Sequence, residues 1–348
     1  MGKKYENLVP KPIWHVMDAL YQKGFQVYIV GGFVRDALLG LEPKDVDLVT
    51  DADMRSIIKV FGKKSRIIGR RFPIVHVPIG GNDVVEISSF EKQSWAKKIF
   101  RGTVSVEETL KIDALRRDFK FNAMYFEYPG FKLHDPLGAR ISFERKVIEL
   151  IGQPNERYQE DPVRLLRAIR FQAKLGFIQQ KGFDQFVKRF YKPLSKVSGQ
   201  RLFLEFLKLM QSEHACLSLT CLQKYRVIDV FLKLLPEAQE YYESFLRAYQ
   251  QLAIDGKYQS TSLLIAGLLW PSVQRDMGNV IKNQKGLIDY FVDLSEAQLN
   301  VHVPRRLLEL SASIWLLLLL IRSASLPEGQ LVSLPGYEKA LFINSLCK

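Results

Sequence analysis

The clearest indication of the fold lies in Tyr28–Thr50, which reads YIVGGFVRDALLGLEPKDVDLVT. An apolar run typical of a β-strand ends at Gly31 and Gly32, and a short helical stretch follows at once. Glycine lets the backbone approach an anion closely, and the free N–H groups at the start of a helix favour phosphate. The pattern predicts a phosphate-binding turn, although a plain tight turn would contain the same two glycines.

Two aspartates follow this turn. Asp45 and Asp47 are two positions apart, so in a strand their side chains lie on the same face. Carboxylates on one face repel each other unless a cation lies between them. Mg²⁺ suits such a pair because it takes oxygen ligands and leaves room for substrate phosphates. The spacing predicts a magnesium site, and the alternative is an edge strand with two solvated carboxylates.

The hydrophobic pattern changes along the chain. Short β-rich runs alternate with helical stretches up to about Gly152, and from Gln153 onward the pattern is almost wholly helical. This predicts an α+β fold, in which a mixed-sheet head at 1–152 is followed by an all-helical neck at 153–215 and a helical body at 216–348. The predicted strands are Gln26–Val30, Val46–Val49, Ile74–Ile79 and Val84–Ser88, and the predicted helices are Ile13–Gln22, Val34–Leu39, Met54–Phe61, Asp161–Leu175, Gly199–Gln211, Pro236–Gln251, Ser260–Leu269 and Arg305–Arg322.

The chain is strongly basic. Its 348 residues include 50 Lys and Arg against 37 Asp and Glu, which gives a formal net charge of +13. Residues 151–210 alone contain 12 Lys and Arg against five Asp and Glu. Such a charge usually indicates a polyanionic partner, and a neck that follows an RNA backbone would need it. The alternative is a solvated basic surface.

Other features indicate a cytoplasmic protein without a membrane anchor. The longest apolar run, Ile314–Ile321, has eight residues, whereas a bilayer core needs about 20. The first residues carry charge but no apolar signal core. Cys216, Cys221 and Cys347 fit neither a disulfide framework nor a zinc site, which favours a reducing compartment.

A second polar motif is Leu115–Ala123, LRRDFKFNA, and a third is Glu160–Phe171, EDPVRLLRAIRF. In the third, Asp161 and Arg164 are three residues apart and share one helical face. Adenine and cytosine both present an amine donor beside a ring-nitrogen acceptor, so a carboxylate and a guanidinium together recognise either base. Guanine and uracil would leave these groups mismatched. The alternative for Asp161 and Arg164 is a salt bridge within the helix.

These motifs together resemble the nucleotidyltransferase fold of the polymerase-beta superfamily. More narrowly, GGFVRDALLG…KDVDLVT, RRDFKFNA and EDPVRLLRAIRF resemble motifs of the bacterial poly(A) polymerases and CCA-adding enzymes (class II). The resemblance implies that Asp45, Asp47 and Glu86 are catalytic and hold two Mg²⁺ ions. Glu86 stands in DVVEISSF on the neighbouring predicted strand, where the alternative is an outward-facing side chain.

The resemblance also implies nucleotide-binding residues in all three motifs. Asp161 and Arg164 would select the base. Arg167 and Arg170 would reach the triphosphate or RNA, or would only brace the head against the neck. A planar guanidinium suits phosphate oxygens, and a short carboxylate can accept from a ribose hydroxyl. The residues expected to bind the phosphates and ribose are Gly31, Gly32, Arg35, Arg116, Arg117, Asp118 and Asn122.

Ile67–Val77, IIGRRFPIVHV, resembles the segment that marks poly(A) polymerases within this family. We therefore expect a template-independent enzyme that adds AMP from ATP to RNA 3′ ends, with ATP and RNA as its partners. His76 in this segment is expected to be a packed side chain, and Glu91–Thr109 a mobile loop near the site. The first alternative is a CCA-adding enzyme that uses CTP and ATP on tRNA. Further alternatives are a non-catalytic RNA-binding protein on this fold and a nucleotidyltransferase that acts on a small molecule or protein.

Overall fold

The computed structural model describes residues 3–43, 45–69, 73–81, 83–90, 105–257, 259–276, 286–324 and 327–347. The chain forms two compact units. The first contains Met1–Pro154 and Ile178–Gln180, and the second contains Asn155–Phe177 and Lys181–Lys348. The chain therefore leaves the first unit after Pro154, returns to it briefly, and leaves it again.

A mixed sheet forms the centre of the first unit. Its strands are β1 Val27–Val30, β2 Asp47–Thr50, β3 Arg66–Ile68, β4 Ile74–Gly80, β5 Asp83–Ser89, β6 Tyr125–Tyr128 and β7 Lys132–His134. Their order across the sheet is β3-β4-β5-β2-β1-β6-β7. β2 and β5 run parallel, whereas the other neighbouring strands are antiparallel. This confirms the α+β head with a mixed sheet.

The two faces of the sheet are covered by different helices. In β1, Val27 and Ile29 belong to one apolar core and Tyr28 and Val30 to another, as the alternation of side chains along a strand requires. The second and fourth helices contribute to the first core, and the fifth contributes Leu110 to the second core. The helices of this unit are α1 Lys3–Glu6, α2 Lys11–Tyr21, α3 Gly32–Leu38, α4 Met54–Phe61, α5 Val106–Arg116 and α6 Ala139–Glu144.

The second unit is helical. Its helices are α7 Pro154–Glu160, α8 Val163–Leu175, α9 Phe183–Ser195, α10 Gly199–Met210, α11 Ala215–Lys224, α12 Gln239–Ile254, α13 Thr261–Arg275, α14 Leu287–Gln298, α15 Arg305–Ser323, α16 Glu328–Leu331 and α17 Tyr337–Ser345. One short strand interrupts this pattern. β9 Ile178–Gln179 pairs in parallel with β8 Val147–Ile148 of the first unit, so residues 178–180 depart from the helical pattern predicted beyond Gln153.

The apolar run Ile314–Ile321 lies in α15, and its buried core residues are Ile314, Trp315, Leu317 and Leu318. Trp315 is fully buried, and its indole N–H donates to the Ala266 carbonyl oxygen of α13 at 2.9 Å. Throughout the described residues, no helix is both long enough and apolar enough to cross a bilayer.

Candidate active site

Strands β2 and β5 bring two of the predicted catalytic carboxylates side by side. Asp47 opens β2, and its Cα is paired with that of Glu86 in the parallel register. Paired positions of neighbouring strands project to the same face of a sheet, so both side chains lie on the face that carries Val49. Asp45 lies just before β2 and is exposed.

The charge around Asp47 is concentrated. Burial raises the pKa of Asp47 to about 6; the Arg117 guanidinium opposes this rise, whereas Glu86 and Asp45 add to it. All three predicted acids therefore contribute to one region of negative potential. This is the electrostatic condition that a bound cation would relieve.

The third acid has a neighbour to which the sequence assigned no role. His76 Nε2 on β4 lies 3.2 Å from Glu86 Oε1, because the antiparallel register pairs the two residues. Within the described ranges, no three His, Cys, Asp or Glu side chains already have the geometry of a metal site. The donor chemistry still fits Mg²⁺, which prefers oxygen ligands. Asp47 and Glu86 offer carboxylate oxygens at paired positions of β2 and β5, and Asp45 lies two residues before Asp47.

Gly31 occupies a position where a side chain would crowd the Asp47 carboxylate. Its φ is +80°, which favours glycine, and a Cβ built there would lie 3.0 Å from Asp47 Oδ2 and 3.9 Å from Arg117 Nη1. Gly32 begins α3, and a Cβ there would meet Arg35 Nη2 at 3.5 Å. The turn at Gly31 therefore passes directly beside the Asp47 carboxylate.

Arg35 faces the protein interior, with only 4% of its surface exposed. Its Nε and Nη2 donate to the two carboxylate oxygens of Asp36 at 2.7 and 2.8 Å, and its Nη1 donates to Asn122 Oδ1 at 2.9 Å. The Asn122 amide nitrogen lies 3.3 Å from Asp118 Oδ1, to which it donates. A buried ion pair thus connects α3 to two of the residues predicted to bind the ribose and phosphates.

Arg116 and Arg117 are both held by one buried carboxylate. Asp113 is 1% exposed; its Oδ1 accepts from Arg116 Nε at 2.7 Å and its Oδ2 accepts from Arg117 Nε at 3.0 Å. The Tyr125 hydroxyl donates to the same Oδ2 at 2.7 Å. Burial alone would raise the pKa of Asp113, but Arg117, Arg116 and Tyr125 hold it below its usual value. Asp113 is therefore an anion that fixes both guanidinium groups.

Neither Asp113 nor Tyr125 was among the residues predicted for the site. Asp113 stands three and four residues before the two arginines, which is the spacing of neighbours on a helix, so a search for helical ion pairs would have found it. Tyr125 lies on β6, and no local spacing links it to α5.

In the second unit, the two residues predicted to select the base have separate partners. Asp161 Oδ2 accepts from Arg201 Nη2 of α10 at 2.7 Å, and Asp161 Oδ1 accepts from the Val163 backbone N–H at 3.2 Å. Arg164 Nη1 donates to Glu160 Oε2 at 2.9 Å and to the Arg157 carbonyl oxygen at 2.6 Å. The ion pairs of these two side chains are with Arg201 and Glu160, not with each other.

Arg167 and Arg170 follow on α8. Their guanidinium carbons lie 5.8 and 5.0 Å from the centre of the Phe171 ring. Arg170 Nε is also 3.9 Å from Glu205 Oε2 of α10. Both arginines thus have contacts within the second unit.

Two predictions fall wholly or partly outside the described residues. Arg70, Arg71 and Phe72 of the IIGRRFPIVHV segment lie outside them, as do residues 91–104 of the predicted loop Glu91–Thr109. The end of that loop prediction was wrong. Ser105 caps α5 by accepting from the Glu108 N–H, and the Glu108 carboxylate accepts from the Ser105 N–H, so residues 106–109 form a first helical turn.

Two family descriptions match this chain. "Poly A polymerase head domain" matches residues 27–149, and "Probable RNA and SrmB- binding site of polymerase A" matches residues 185–241. The match to the head domain includes Gly31, Asp47, Glu86 and Arg117. These residues are the ones that the structure brings together.

Known proteins similar to this chain include some named poly(A) polymerase I and some named CCA-adding enzyme. Poly(A) polymerase I of Haemophilus influenzae is 33% identical over 295 residues, which cover 78% of this chain and 64% of that protein. Poly(A) polymerase I of Salmonella typhi is 30% identical over 330 residues, covering 86% and 70%. The CCA-adding enzyme of Bacillus subtilis is 29% identical over 269 residues, covering 77% and 64%. The chain thus spans about two thirds of the length of these relatives.

Among solved structures, the Bacillus stearothermophilus CCA-adding enzyme in complex with CTP aligns with a TM-score of 0.63 at 24% identity, covering 97% of this chain and 78% of that one. A tRNA nucleotidyltransferase complexed with a primer tRNA and an ATP analogue aligns with a TM-score of 0.57 at 23% identity, covering 90% and 100%. These likenesses establish the fold alone. The sequence matches show that the chain belongs to the family of bacterial poly(A) polymerases and CCA-adding enzymes.

Proposed function

We propose that the protein is a template-independent RNA nucleotidyltransferase that adds AMP from ATP to RNA 3′ ends. The observation that carries this proposal is the pairing of Asp47 with Glu86 beside Gly31 and Arg117. A carboxylate pair next to a glycine turn and a fixed guanidinium suits a triphosphate with its metal ions.

Asp45, Asp47 and Glu86 are the residues that would hold Mg²⁺, with two ions expected from the family resemblance. When bound, such ions would favour ionisation of the RNA 3′-hydroxyl and neutralise charge on the leaving pyrophosphate. The chain's own part is to keep Asp47 and Glu86 on adjacent strands and to keep the backbone at Gly31 close to them. His76 would orient the Glu86 carboxylate, since its Nε2 is 3.2 Å away.

The remaining head residues would bind the nucleotide. The Asp113 carboxylate fixes Arg116 and Arg117, and their guanidinium groups would contact phosphate oxygens. Gly31 and Gly32 would lie against the triphosphate. Asp118 and Asn122 would contact the ribose, and Arg35 would support them through Asn122.

We propose that Asp161 and Arg164 select adenine by accepting from its amine and donating to its ring nitrogen, and that Arg167 and Arg170 assist by contacting phosphate or by bracing α8. RNA would bind to the helical part of the chain mainly through charge. Within it we propose a neck at 153–215 for base recognition and a body at 216–348 for RNA. A cytoplasmic location is proposed because RNA 3′ ends and ATP occur there together.

The test is incorporation of each nucleoside triphosphate separately, on an unstructured oligonucleotide and on tRNA that lacks its 3′ end. The proposal expects long tails from ATP alone on both RNAs. Asp47→Asn should abolish extension. Extension that survives Asp47→Asn would contradict the catalytic role, and RNA binding without any extension by the unaltered protein would favour the non-catalytic alternative.

Addition of CCA to tRNA is the second candidate. Relatives named CCA-adding enzyme favour it, because one from Bacillus pumilus is 33% identical over 62% of this chain. In that case CTP and ATP together would add three nucleotides to the truncated tRNA, and the oligonucleotide would stay unextended. Incorporation without any binding to RNA would point instead to a small-molecule or protein substrate.

A further inference from the structure

Helix α10 carries two charged side chains one turn apart that face α8 and its N-terminal end. Arg201 forms an ion pair with Asp161, with Nη2 at 2.7 Å from Oδ2. Glu205, four residues later, is 8% exposed at its side chain and lies 3.9 Å from Arg170 Nε. In the first contact α10 supplies the positive charge, and in the second it supplies the negative charge. A shift of α10 along α8 would therefore bring like charges together, which favours the observed position of α10 against the EDPVRLLRAIRF motif.

The Asp161 carboxylate is held at both oxygens. Oδ1 accepts from the Val163 N–H of its own chain segment, and Oδ2 accepts from Arg201 on another helix. Each carboxylate oxygen has two lone pairs, so these contacts fix the plane of the group and leave acceptor positions for a ligand. With the Val163 hydrogen bond alone, only Oδ1 would be fixed, and the plane of the carboxylate could still turn.

From this geometry we propose that Arg201 is a positioning residue for base selection. Its guanidinium holds the Asp161 carboxylate in the orientation that accepts from the exocyclic amine of adenine or cytosine. This inference rests on the proposed function, because it assumes that Asp161 contacts the base. It assigns a specificity role to a residue that lies 40 positions after Asp161 and outside the sequence motif.

Arg164 provides a contrast. Its partners, the Glu160 carboxylate and the Arg157 carbonyl oxygen, come from the same short segment of chain. The orientation of Arg164 is thus set locally, whereas the orientation of Asp161 depends on the packing of α10. Substitutions in α10 should therefore change the orientation of Asp161, which accepts from the base, without changing the orientation of Arg164, which donates to it.

A contribution to stability would not explain this ion pair well. The Arg201 side chain is 51% exposed, and an exposed ion pair stabilises a fold only slightly. A fixed carboxylate nevertheless matters for discrimination, since selection between bases depends on the direction in which the acceptor points.

The experiment compares Arg201→Ala and Arg201→Lys with the unaltered full chain. For each we would measure kcat and KM for ATP, CTP, GTP and UTP separately on an unstructured oligonucleotide. We expect Arg201→Ala to lower the preference for ATP over GTP by about three- to tenfold, the effect of losing one orienting hydrogen bond. Arg201→Lys keeps the charge without the planar fork, so it should recover part of that preference.

Lys208→Ala is the matched control. Lys208 lies on the same helix, is also 51% exposed, and pairs with a carboxylate, but its partner is Glu205 instead of Asp161. Its removal should leave the ratio of ATP to GTP incorporation unchanged. In an Asp161→Ala background, Arg201→Ala should cause no further loss of selectivity, because the group that it orients is gone.

An equal loss for all four nucleotides in Arg201→Ala, or an equal loss of selectivity in Lys208→Ala, would overturn the inference and indicate a general charge effect. Thermal melting of each variant identifies any that fail to fold. If Arg201→Ala does not fold, the selectivity of Arg201→Lys is compared with that of the unaltered protein instead. If the unaltered protein incorporates no nucleotide, the proposed function fails and this inference fails with it. If it incorporates ATP selectively and Arg201→Ala retains that selectivity, only the inference fails.

Discussion

Asp47 is held in an environment that disfavours its charge. Its pKa rises from 3.8 to about 6 through burial, against the opposing effect of Arg117 and with additions from Glu86 and Asp45. A carboxyl group with a higher pKa in the folded state reduces stability above that pKa, and the reduction disappears as the pH falls below the unfolded value. Without a cation, the folded protein therefore carries an energetic cost at neutral pH.

We expect Asp47→Asn to stabilise the metal-free protein by about 1–2 kcal/mol above pH 6, after allowance for partial solvent exposure. The gain should shrink between pH 6 and pH 4, where the carboxyl group of the unaltered protein becomes protonated in the folded state while it is still ionised in the unfolded state. Urea unfolding with a chelator present, across this pH range, would measure it. Asp45→Asn is the control, since Asp45 is exposed and its removal should change stability little; a destabilising Asp47→Asn would contradict the prediction.

Tyr125 is expected to affect nucleotide binding without touching the nucleotide. Its hydroxyl donates to Asp113 Oδ2 at 2.7 Å, and the same oxygen holds Arg117. Tyr125→Phe should cost about 1–2 kcal/mol of stability, because a buried acceptor loses a donor. It should also raise the KM for ATP, since Arg117 would lose part of its support.

Tyr128→Phe is the matched control for this prediction. Tyr128 lies on the same strand, and its hydroxyl donates to Asp18 Oδ1 at 3.1 Å. Asp18 contacts neither arginine of the site, so the KM for ATP should stay unchanged. Equal kinetic effects of the two substitutions would mean that loss of β6 stability, and not the position of Arg117, is responsible.

Among single residues, spacing predicted the carboxylates but not what surrounds them. The prediction for Asp45 and Asp47 used the period of a strand, but β2 begins only at Asp47 and Asp45 lies before it. The pairing of Asp47 with Glu86 joins residues 39 positions apart. Such a register is set by long-range packing. The contact of His76 with Glu86 depends on the same register, which is why His76 was expected only to pack.

At the level of elements, the turn between β1 and α3 allows a test of whether glycine is required beside Asp47. Gly31→Ala places a methyl group 3.0 Å from Asp47 Oδ2 at a φ of +80°. We expect a loss of about 1–3 kcal/mol in stability from backbone strain and the close contact. The rate of primer extension should fall by more than this loss of stability explains, since the methyl group would displace the Asp47 carboxylate. Unfolding and primer-extension assays measure the two effects.

Gly24→Ala separates backbone strain from the close contact. Gly24 has a φ of +84°, and a Cβ there meets nothing within 4 Å. Its substitution should cost stability through strain alone and leave kcat near the unaltered value. If Gly24→Ala reduced kcat as much as Gly31→Ala, strain in the fold and not the contact with Asp47 would explain the loss.

A helix whose two ends are marked by a cap residue and a glycine was predicted with the correct bounds, whereas some elements without such residues were shifted or missed. Helix α4 has the predicted bounds, Met54–Phe61, because Asp53 caps its start and Gly62 follows its end. The segment predicted as Pro236–Gln251 begins as a 3₁₀ turn, and α12 starts only at Gln239. Strands β6 and β7 were missed, since β6 is buried and pairs with β1 almost 100 positions earlier.

For the whole molecule, net charge makes a prediction about RNA. With a formal net charge of +13, binding to an unstructured oligonucleotide should weaken steeply with salt. A slope of about −2 to −4 in a plot of log affinity against log salt corresponds to three to six phosphate contacts. Fluorescence anisotropy between about 50 and 200 mM KCl would measure it, and a slope near zero would show that the basic residues do not contact the backbone.

The division of the molecule into units was harder to foresee than its fold class. The change from mixed to helical pattern near Gly152 lies close to the observed break after Pro154. The return of Ile178–Gln180 to the first unit has no local signal, since a two-residue strand is too short to show a period. Its partner, β8, is equally short.

The shared carboxylate of Asp113 has a consequence for how this protein can change over evolutionary time. Three side chains, Arg116, Arg117 and Tyr125, donate to one buried anion, so a neutral residue at position 113 would remove an ion-pair partner from two arginines at once. A change there is tolerable only when its partners change with it. In an alignment of homologues, positions 113, 116, 117 and 125 should therefore covary as a group.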